Sequence, residues 1–98
     1  MQQIDAVIDQ FKLSEVRSTL EEMGIGDFME STIKCHQQGP AMKFRGATLM
    51  ASIVEKVKLE IIAEDESVPK IVETIGAIAR AGGKKDCRIS IHPYLEVN

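Results

Sequence analysis

The chain has 98 residues, of which 44% are hydrophobic and 28% are charged, and this favours one globular domain over residues 1–98 rather than two domains or a disordered chain. Twelve lysines and arginines stand against fifteen acidic residues, and the net charge of −3 argues against nonspecific nucleic-acid binding. No apolar run approaches the ~20 residues of a membrane span, and the N-terminus lacks the pattern of a signal peptide, so we expect a cytoplasmic protein.

The first half of the chain predicts a strand, a helix, a second strand and a long loop. Ile4–Ile8 is a short β-branched apolar run, which is typical of a buried strand. Residues 13–24 carry apolar side chains at helical spacing, and Gly24 suits a left-handed helix end. Phe28–Cys35 alternates as a second strand. From His36 to Gly46 no period holds and glycine and proline interrupt, so we expect an irregular loop there.

The second half of the chain predicts a strand, a helix and a last strand. Residues 56–62, KVKLEII, alternate between charged and apolar side chains, which indicates a half-exposed strand with its lysines on the polar face. Ser67 and Pro69 favour the start of a helix, which we expect to end at Gly82–Gly83. The apolar stripe of that helix is Val68, Ile71, Val72, Ile75, Ile78 and Ala79. Residues 87–97 predict the last strand.

The order β-α-β-loop-β-α-β matches the ferredoxin-like α+β fold, a four-stranded antiparallel sheet with both helices on one face. The chain itself leaves the second face of this sheet uncovered. Packing that face against further copies removes exposed apolar surface, so we expect a homo-oligomer. The loop between strands two and three is long, and long loops in small domains commonly carry function.

A basic turn rich in glycine, ARAGGKKDCR at residues 79–88, is the richest local signal for a ligand. It brings together two glycines and three cations, Gly82, Gly83, Lys84, Lys85 and Arg88. Such a turn can offer N–H groups and positive charge to phosphates. It lacks the spacing of a P-loop and does not open a helix, so a helix cap followed by a solvated loop is the alternative. Lys56 and Lys58 are open to the same two interpretations.

Metal binding and catalysis have less support. Cys35 and Cys87 are widely separated and show no paired spacing, so we expect free thiols. With His36 and His92 they are the candidate metal ligands, and no sequence pattern joins the four. No nucleophile elbow, zinc-protease segment or kinase segment occurs, so we expect a protein that is not an enzyme.

Two stretches and the order of elements resemble the PII family of nitrogen-regulatory signalling proteins. The stretches are residues 4–25, IDAVIDQFKLSEVRSTLEEMGI, and residues 44–62, FRGATLMASIVEKVKLEII. The resemblance covers nearly the whole chain. It implies a homotrimer of ferredoxin-like subunits that binds adenine nucleotides in the clefts between subunits. It also implies that a flexible loop, the T-loop, reports the bound ligand to a membrane transporter or a metabolic enzyme.

The resemblance further implies which residues bind the nucleotide. His36 and Gln37 fall at the base of the T-loop, where a glutamine in the family helps to place Mg²⁺ and 2-oxoglutarate beside the phosphates. Lys56 matches a lysine that faces the ligand site, and Ile62 lies where backbone near the adenine is expected. A second loop, the B-loop, corresponds to Lys84, Lys85, Asp86, Cys87 and Arg88. Arg88 stands in place of a phosphate-binding lysine.

The T-loop of the resemblance supplies the predicted partner-binding residues. These are Gln38, Met42, Lys43, Arg45 and Leu49. Leu49 occupies the position of the tyrosine that is modified in enteric members, so that modification is not expected here. The shorter loop and the lack of the family's basic C-terminal strand segment make ADP, AMP, a cyclic nucleotide or bicarbonate alternatives to ATP and 2-oxoglutarate.

Two further functions stay open on the sequence. One is a trimeric metal-handling protein like the CutA group, which shares the architecture and would use Cys35, His36, Cys87 and His92. The other is an accessory protein that holds a partner and senses no ligand. Nucleotide binding separates both from the PII-like regulator.

Overall fold

A computed structural model of the protein describes residues 1–37, 42–44, 47–49, 52–81 and 87–98. Within these ranges, six strands and two α-helices follow one another. In order they are β1 (Gln2–Asp9), α1 (Leu13–Glu22), β2 (Phe28–Gln37), β3 (Met42–Phe44), β4 (Ala47–Leu49), β5 (Ser52–Ala63), α2 (Val68–Ala79) and β6 (Arg88–Pro93). A single 3-10 turn, Gln10–Lys12, joins β1 to α1.

Four strands form one antiparallel sheet in the order β2-β5-β1-β6. The two helices pack on one face of this sheet, where alternate residues of β1 and β5 are fully buried. The predicted ferredoxin-like fold is therefore confirmed. The core joins strand and helix residues, namely Ile4, Ala6, Ile8, Val16, Leu20, Val57, Leu59, Ile61, Ala63, Val68, Ile71, Ile75 and Ala79.

The end of α1 is closed by a glycine in the left-handed conformation, as the sequence predicts. Gly24 has φ of +81°, and its N–H donates to the Glu21 carbonyl at 2.9 Å. The N–H of Ile25 donates to the Leu20 carbonyl, also at 2.9 Å. These two bonds form a Schellman motif, which satisfies carbonyls that a helix end otherwise leaves unpaired.

The predicted irregular loop from His36 to Gly46 is partly wrong. β2 continues through His36 to Gln37, and Met42–Phe44 pairs with Ala47–Leu49 as a separate two-stranded sheet. These segments pair through backbone hydrogen bonds, which form between two strands without the apolar alternation that predicts a strand from sequence. The predicted helix end at Gly82–Gly83 lies outside the described residues, and α2 ends at Ala79.

The sheet face opposite the helices has no described element packed over it. Side chains of alternate strand residues point to this open face, and they include four half-buried apolar ones, Val7, Ile33, Val54 and Ile62. Met29 on the same face is 61% exposed. Apolar surface of this kind favours contact with another protein surface.

Candidate functional site

Lys56 stands at one end of the sheet, where β1 stops. It lies opposite Asp9 on β1 and Ile33 on β2, so it is in the last row that three strands share. Its side chain is only 6% exposed, which is unusual for a lysine. Lys58, two residues on, is more exposed and its Nζ lies 3.6 Å from Glu60. The resemblance favours Lys56 over Lys58 as a ligand contact, and this stays a prediction.

Cys87 and Arg88 enter the sheet at the same end. Arg88 begins β6 and pairs with Val7, on the open face beside Lys58. Cys87 precedes it and packs half-buried against the core. Burial raises the pKa of the Cys87 thiol, and the positive charges of Arg80 and Lys56 partly oppose this rise. The structure thus brings Lys56, Cys87 and Arg88 of the predicted nucleotide-binding set to one region.

Ile62 lies at the other end of the sheet. It follows Lys56 by six residues along β5, which is roughly 20 Å at the rise of an extended strand. There it lines a cavity of about 500 Å³. The other lining residues are Met1, Gly26, Asp27, Phe28, Met29, Glu60, Tyr94 and Glu96. Aromatic and methionine side chains with a few carboxylates suit a flat, polar-edged ring system.

Within one chain, the two parts of the predicted site are therefore separate. The cations lie at the end where β6 begins, and the apolar cavity lies at the end where β2 begins.

His36 and Gln37 lie on a ribbon that projects past the end of β1. They pair with Ile53 and Ser52 of β5, three and four rows beyond the row of Ile33 and Lys56. In this projection β5 pairs with β2 alone among the described strands. His36 is exposed, and it lies roughly 10 Å from the Lys56 row by strand rise.

Eight predicted site residues lie either outside the described residues or in the β3–β4 pair. Gln38, Arg45, Lys84, Lys85 and Asp86 lie outside the described residues. Met42, Lys43 and Leu49 belong to the β3–β4 pair, in which Met42 is opposite Leu49 and Lys43 is opposite Thr48. Their assignment as partner-binding residues stays a prediction.

The four candidate metal ligands are not gathered in the structure. Cys35 and His36 are consecutive strand residues and so point to opposite faces. His92 lies on β6, where its Nε2 is 3.1 Å from Asp5 and 3.0 Å from the Ser90 hydroxyl. Among the described residues, no three acidic, histidine or cysteine side chains form a metal-binding group.

Arg80 is a candidate that the sequence argument missed. It caps the C-terminal end of α2, and its charge reaches the Cys87 thiol. Its guanidinium lies against Gly76, one turn earlier on the helix, where a Cβ atom would be 3.2 Å from Nη1.

No helix in the described ranges is long and apolar enough to cross a bilayer.

Comparison with known proteins places these features in a family. The sequence model of the family described as nitrogen regulatory protein P-II matches residues 1–96. Nitrogen regulatory protein P-II 1 of Escherichia coli strain K12 is 38% identical over 99 residues, which cover 99% of this chain and 88% of the relative. Nitrogen regulatory protein P-II of Azospirillum brasilense is 35% identical over the same shares of both chains. The chain therefore belongs to the nitrogen regulatory protein P-II family, whose members are signal-transduction regulators.

Proposed function

We propose that the protein is a cytoplasmic, homotrimeric regulator that binds an adenine nucleotide in the clefts between subunits. Bound nucleotide would control a membrane transporter or a metabolic enzyme through the loop between β2 and β5. The observation that supports this most is the division of the predicted site between the two ends of one sheet. Each end offers half of a nucleotide site, and no described element covers the open face between them.

The two halves suit the two parts of a nucleotide. In the cavity at Ile62, the side chains of Phe28, Met29 and Tyr94 offer apolar contact to a purine ring. Glu60 lines the same cavity and can accept a hydrogen bond from an exocyclic amino group. At the other end, Lys56 and Arg88 offer positive charge to phosphates.

The ribbon that bears His36 and Gln37 leaves the sheet beside Lys56, so a ligand there would lie at its base. In this proposal Mg²⁺ accompanies the phosphates, because this ion is commonly held by phosphate oxygens with few protein ligands. A small carboxylate such as 2-oxoglutarate, or bicarbonate, is a second effector at the same base. Ordering of the loop by these ligands is the switch that a partner would detect.

Calorimetric titration with ATP, ADP, AMP and cyclic AMP tests the proposal, with adenosine and GTP as probes of the phosphate and base contributions. We expect at least one adenine nucleotide to bind, and Lys56→Gln to weaken it about tenfold or more through loss of a charge-assisted bond. Lys70→Gln removes the same charge from an exposed position in the first turn of α2 and serves as control.

The titration is combined with light scattering to count subunits. A folded trimer that binds none of the four adenine nucleotides would refute the proposed ligand. Equal loss of affinity in the Lys56 and Lys70 variants would show that Lys56 has no specific contact.

A further inference from the structure

A histidine of the edge strand β6 contacts an aspartate of β1 on the open face of the sheet. Nε2 of His92 lies 3.1 Å from Oδ2 of Asp5 and 3.0 Å from the hydroxyl oxygen of Ser90. The other carboxylate oxygen of Asp5 accepts a hydrogen bond of 2.8 Å from Nε2 of Gln3. Both oxygens of Asp5 therefore have a partner, and His92 supplies one of them.

The position of the Asp5 carboxylate makes a positive partner favourable. Its side chain is only 15% exposed, so it has lost much of its contact with water. Glu60 of β5 lies directly opposite it, and like charges in one row of an antiparallel pair repel each other. Lys58 offsets the charge of Glu60, with Nζ 3.6 Å from Oε1. His92 can do the same for Asp5 when its imidazole is charged.

The geometry of this contact favours the charged imidazole. An ionised carboxylate only accepts hydrogen bonds, so Nε2 of His92 must carry a hydrogen atom to bond with Asp5. The charged ring always carries this hydrogen, whereas the neutral ring carries it in one of its two tautomers. A charge-assisted bond is also stronger than a neutral one. Because histidine ordinarily changes its charge between about pH 5 and 8, we expect the strength of this contact to vary within that window.

Other charged groups lie around the pair on the open face. Glu60 and Lys58 face it from β5, and Arg88 lies on β6 itself. The two helices pack on the opposite face of the sheet. Carboxylic acids ordinarily titrate near pH 4, and lysine and arginine above about pH 10. Side chains of these types are therefore not expected to change charge within the histidine window.

The segments next to the end of β6 add further titratable groups. Tyr94 follows β6, and its N–H donates to the Met1 carbonyl at 3.3 Å. The terminal ammonium of Met1 lies 3.2 Å from Asp65, and an α-amino group ordinarily titrates near pH 8. Glu96 comes two residues after Tyr94. A substitution of His92 leaves all of these groups in place, so it separates their effects from that of the imidazole.

β6 has few other contacts that hold it in the sheet. It is an edge strand, and among the described strands it pairs with β1 alone. On the helix side Ile89 packs half-buried against the core, but Ile91 is 47% exposed. A strand that buries so little apolar surface opens locally at low cost. One contact of modest strength can therefore change how often it opens.

We propose that His92 is a pH sensor, which holds β6 on the sheet when its imidazole is charged and lets the strand open more often when the imidazole is neutral. The docked strand then binds a proton more readily than the open strand does, so docking weakens as the pH rises through the histidine window. Arg88 begins β6, and opening would displace this predicted phosphate contact. The sensor itself requires neither the proposed nucleotide nor the proposed trimer.

Amide hydrogen exchange of the full chain, followed by NMR at about pH 5.5 and about pH 7.5, tests the proposal. Each rate is divided by the intrinsic rate of the unfolded chain at the same pH, which gives the protection of each amide. We expect the protection of β6 to fall severalfold between the two pH values, as suits a partly exposed ion pair. The core strand β5 is the internal reference. Constant protection of β6, or an equal fall in β5, would overturn the inference.

Three histidine variants separate the charge from the shape of the side chain. His92→Gln keeps a hydrogen-bond donor without a charge, so we expect low protection of β6 at both pH values. His92→Lys stays charged, so we expect high protection at both. His36→Gln removes the other histidine of the chain and should behave as the unaltered protein does. A pH-dependent fall that survives in His92→Gln would assign it to another group, such as the terminal ammonium, and overturn the inference.

Asp5→Asn tests the partner of the imidazole. It removes the negative charge and keeps a side chain of the same size, so we expect it to abolish the pH dependence as His92→Gln does. The double variant should show no further loss, because the two residues act through one contact. Neither residue belongs to the core, so we expect folded variants, which circular dichroism verifies. Full pH dependence in Asp5→Asn would contradict the proposed contact.

Discussion

The buried thiol of Cys87 makes the stability of the protein depend on pH. Burial raises the pKa of its thiol in the folded chain above the ordinary value of about 8.5. Between the unfolded and the folded pKa, the native state holds more protons than the unfolded state does. The free energy of unfolding therefore falls as the pH rises through this window, and the thiol has no such effect below about pH 8.

We predict that Cys87→Ser reduces this alkaline loss of stability. The measurement is urea unfolding of the unaltered chain and the variant at pH values from 7 to 10, with Cys35→Ser as a matched control. The difference between the unaltered chain and Cys87→Ser should shrink as the pH increases, because only the thiol becomes costly to bury when it ionises. A difference that is constant over the whole range would contradict the assigned cause.

The sequence predicted some properties of the site residues and missed others. The alternation of KVKLEII correctly placed Lys56 on the polar face, since side-chain direction in a strand follows from position alone. It did not predict that Lys56 is nearly buried, because burial depends on what other segments place around it. Arg80 was missed for a similar reason, since its charge comes to act on the Cys87 thiol only after the chain folds.

The turn after α1 shows how one conformation can be fixed by one residue type. Gly24 and Gly26 are two residues apart, and a Cβ atom at either would meet nothing within 4 Å. They differ in backbone conformation, because among the described glycines only Gly24 has a positive φ. Steric crowding is therefore equal at the two positions, and backbone strain is not.

We predict that Gly24→Ala lowers the free energy of unfolding by about 1 kcal/mol, whereas Gly26→Ala changes it little or raises it slightly. Gly24→Asn should cost less than alanine, since asparagine tolerates the left-handed region better. Chemical denaturation of the three variants supplies the comparison. Equal effects of alanine at both positions would exclude the conformational explanation.

Sequence patterns predict the parts of strands and helices that cover the core, and they fail beyond it. The core-facing positions of β1, β5 and α2 were predictable because burial imposes a period on them. The outer parts of β2 and β5 escaped prediction because they pair with each other and cover no core. Their order comes from backbone hydrogen bonds, which every non-proline residue can form.

For the whole molecule, the open sheet face is the surface through which the proposed trimer would pack. Met29 is 61% exposed in the single chain and shares its row with Glu60 and Asp5. A carboxylate added to this row would have to be buried beside two others if copies pack through this face, and that costs several kcal/mol.

We predict that Met29→Glu shifts the protein from the proposed trimer to a monomer while each chain stays folded, because Met29 is outside the core. Ala77→Glu adds the same charge on the exposed side of α2 and should leave the trimer unchanged. Sedimentation velocity measures the mass, and circular dichroism verifies the fold. A Met29→Glu variant that sediments as the unaltered protein does would exclude this face from the interface.

The ribbon formed by the ends of β2 and β5 has a mechanical consequence. Its four rows, from the pair Lys34–Glu55 to the pair Gln37–Ser52, extend roughly 13 Å beyond the point where β1 stops. Such an arm converts a rotation of about 10° at its root into a movement of roughly 2 Å at its tip. Lys56 lies in the last row that β1, β2 and β5 share, which is the root of this ribbon. In the proposed regulator, a ligand would bind near Lys56 at the root of the ribbon, and a partner would bind at the far end, where the movement is larger.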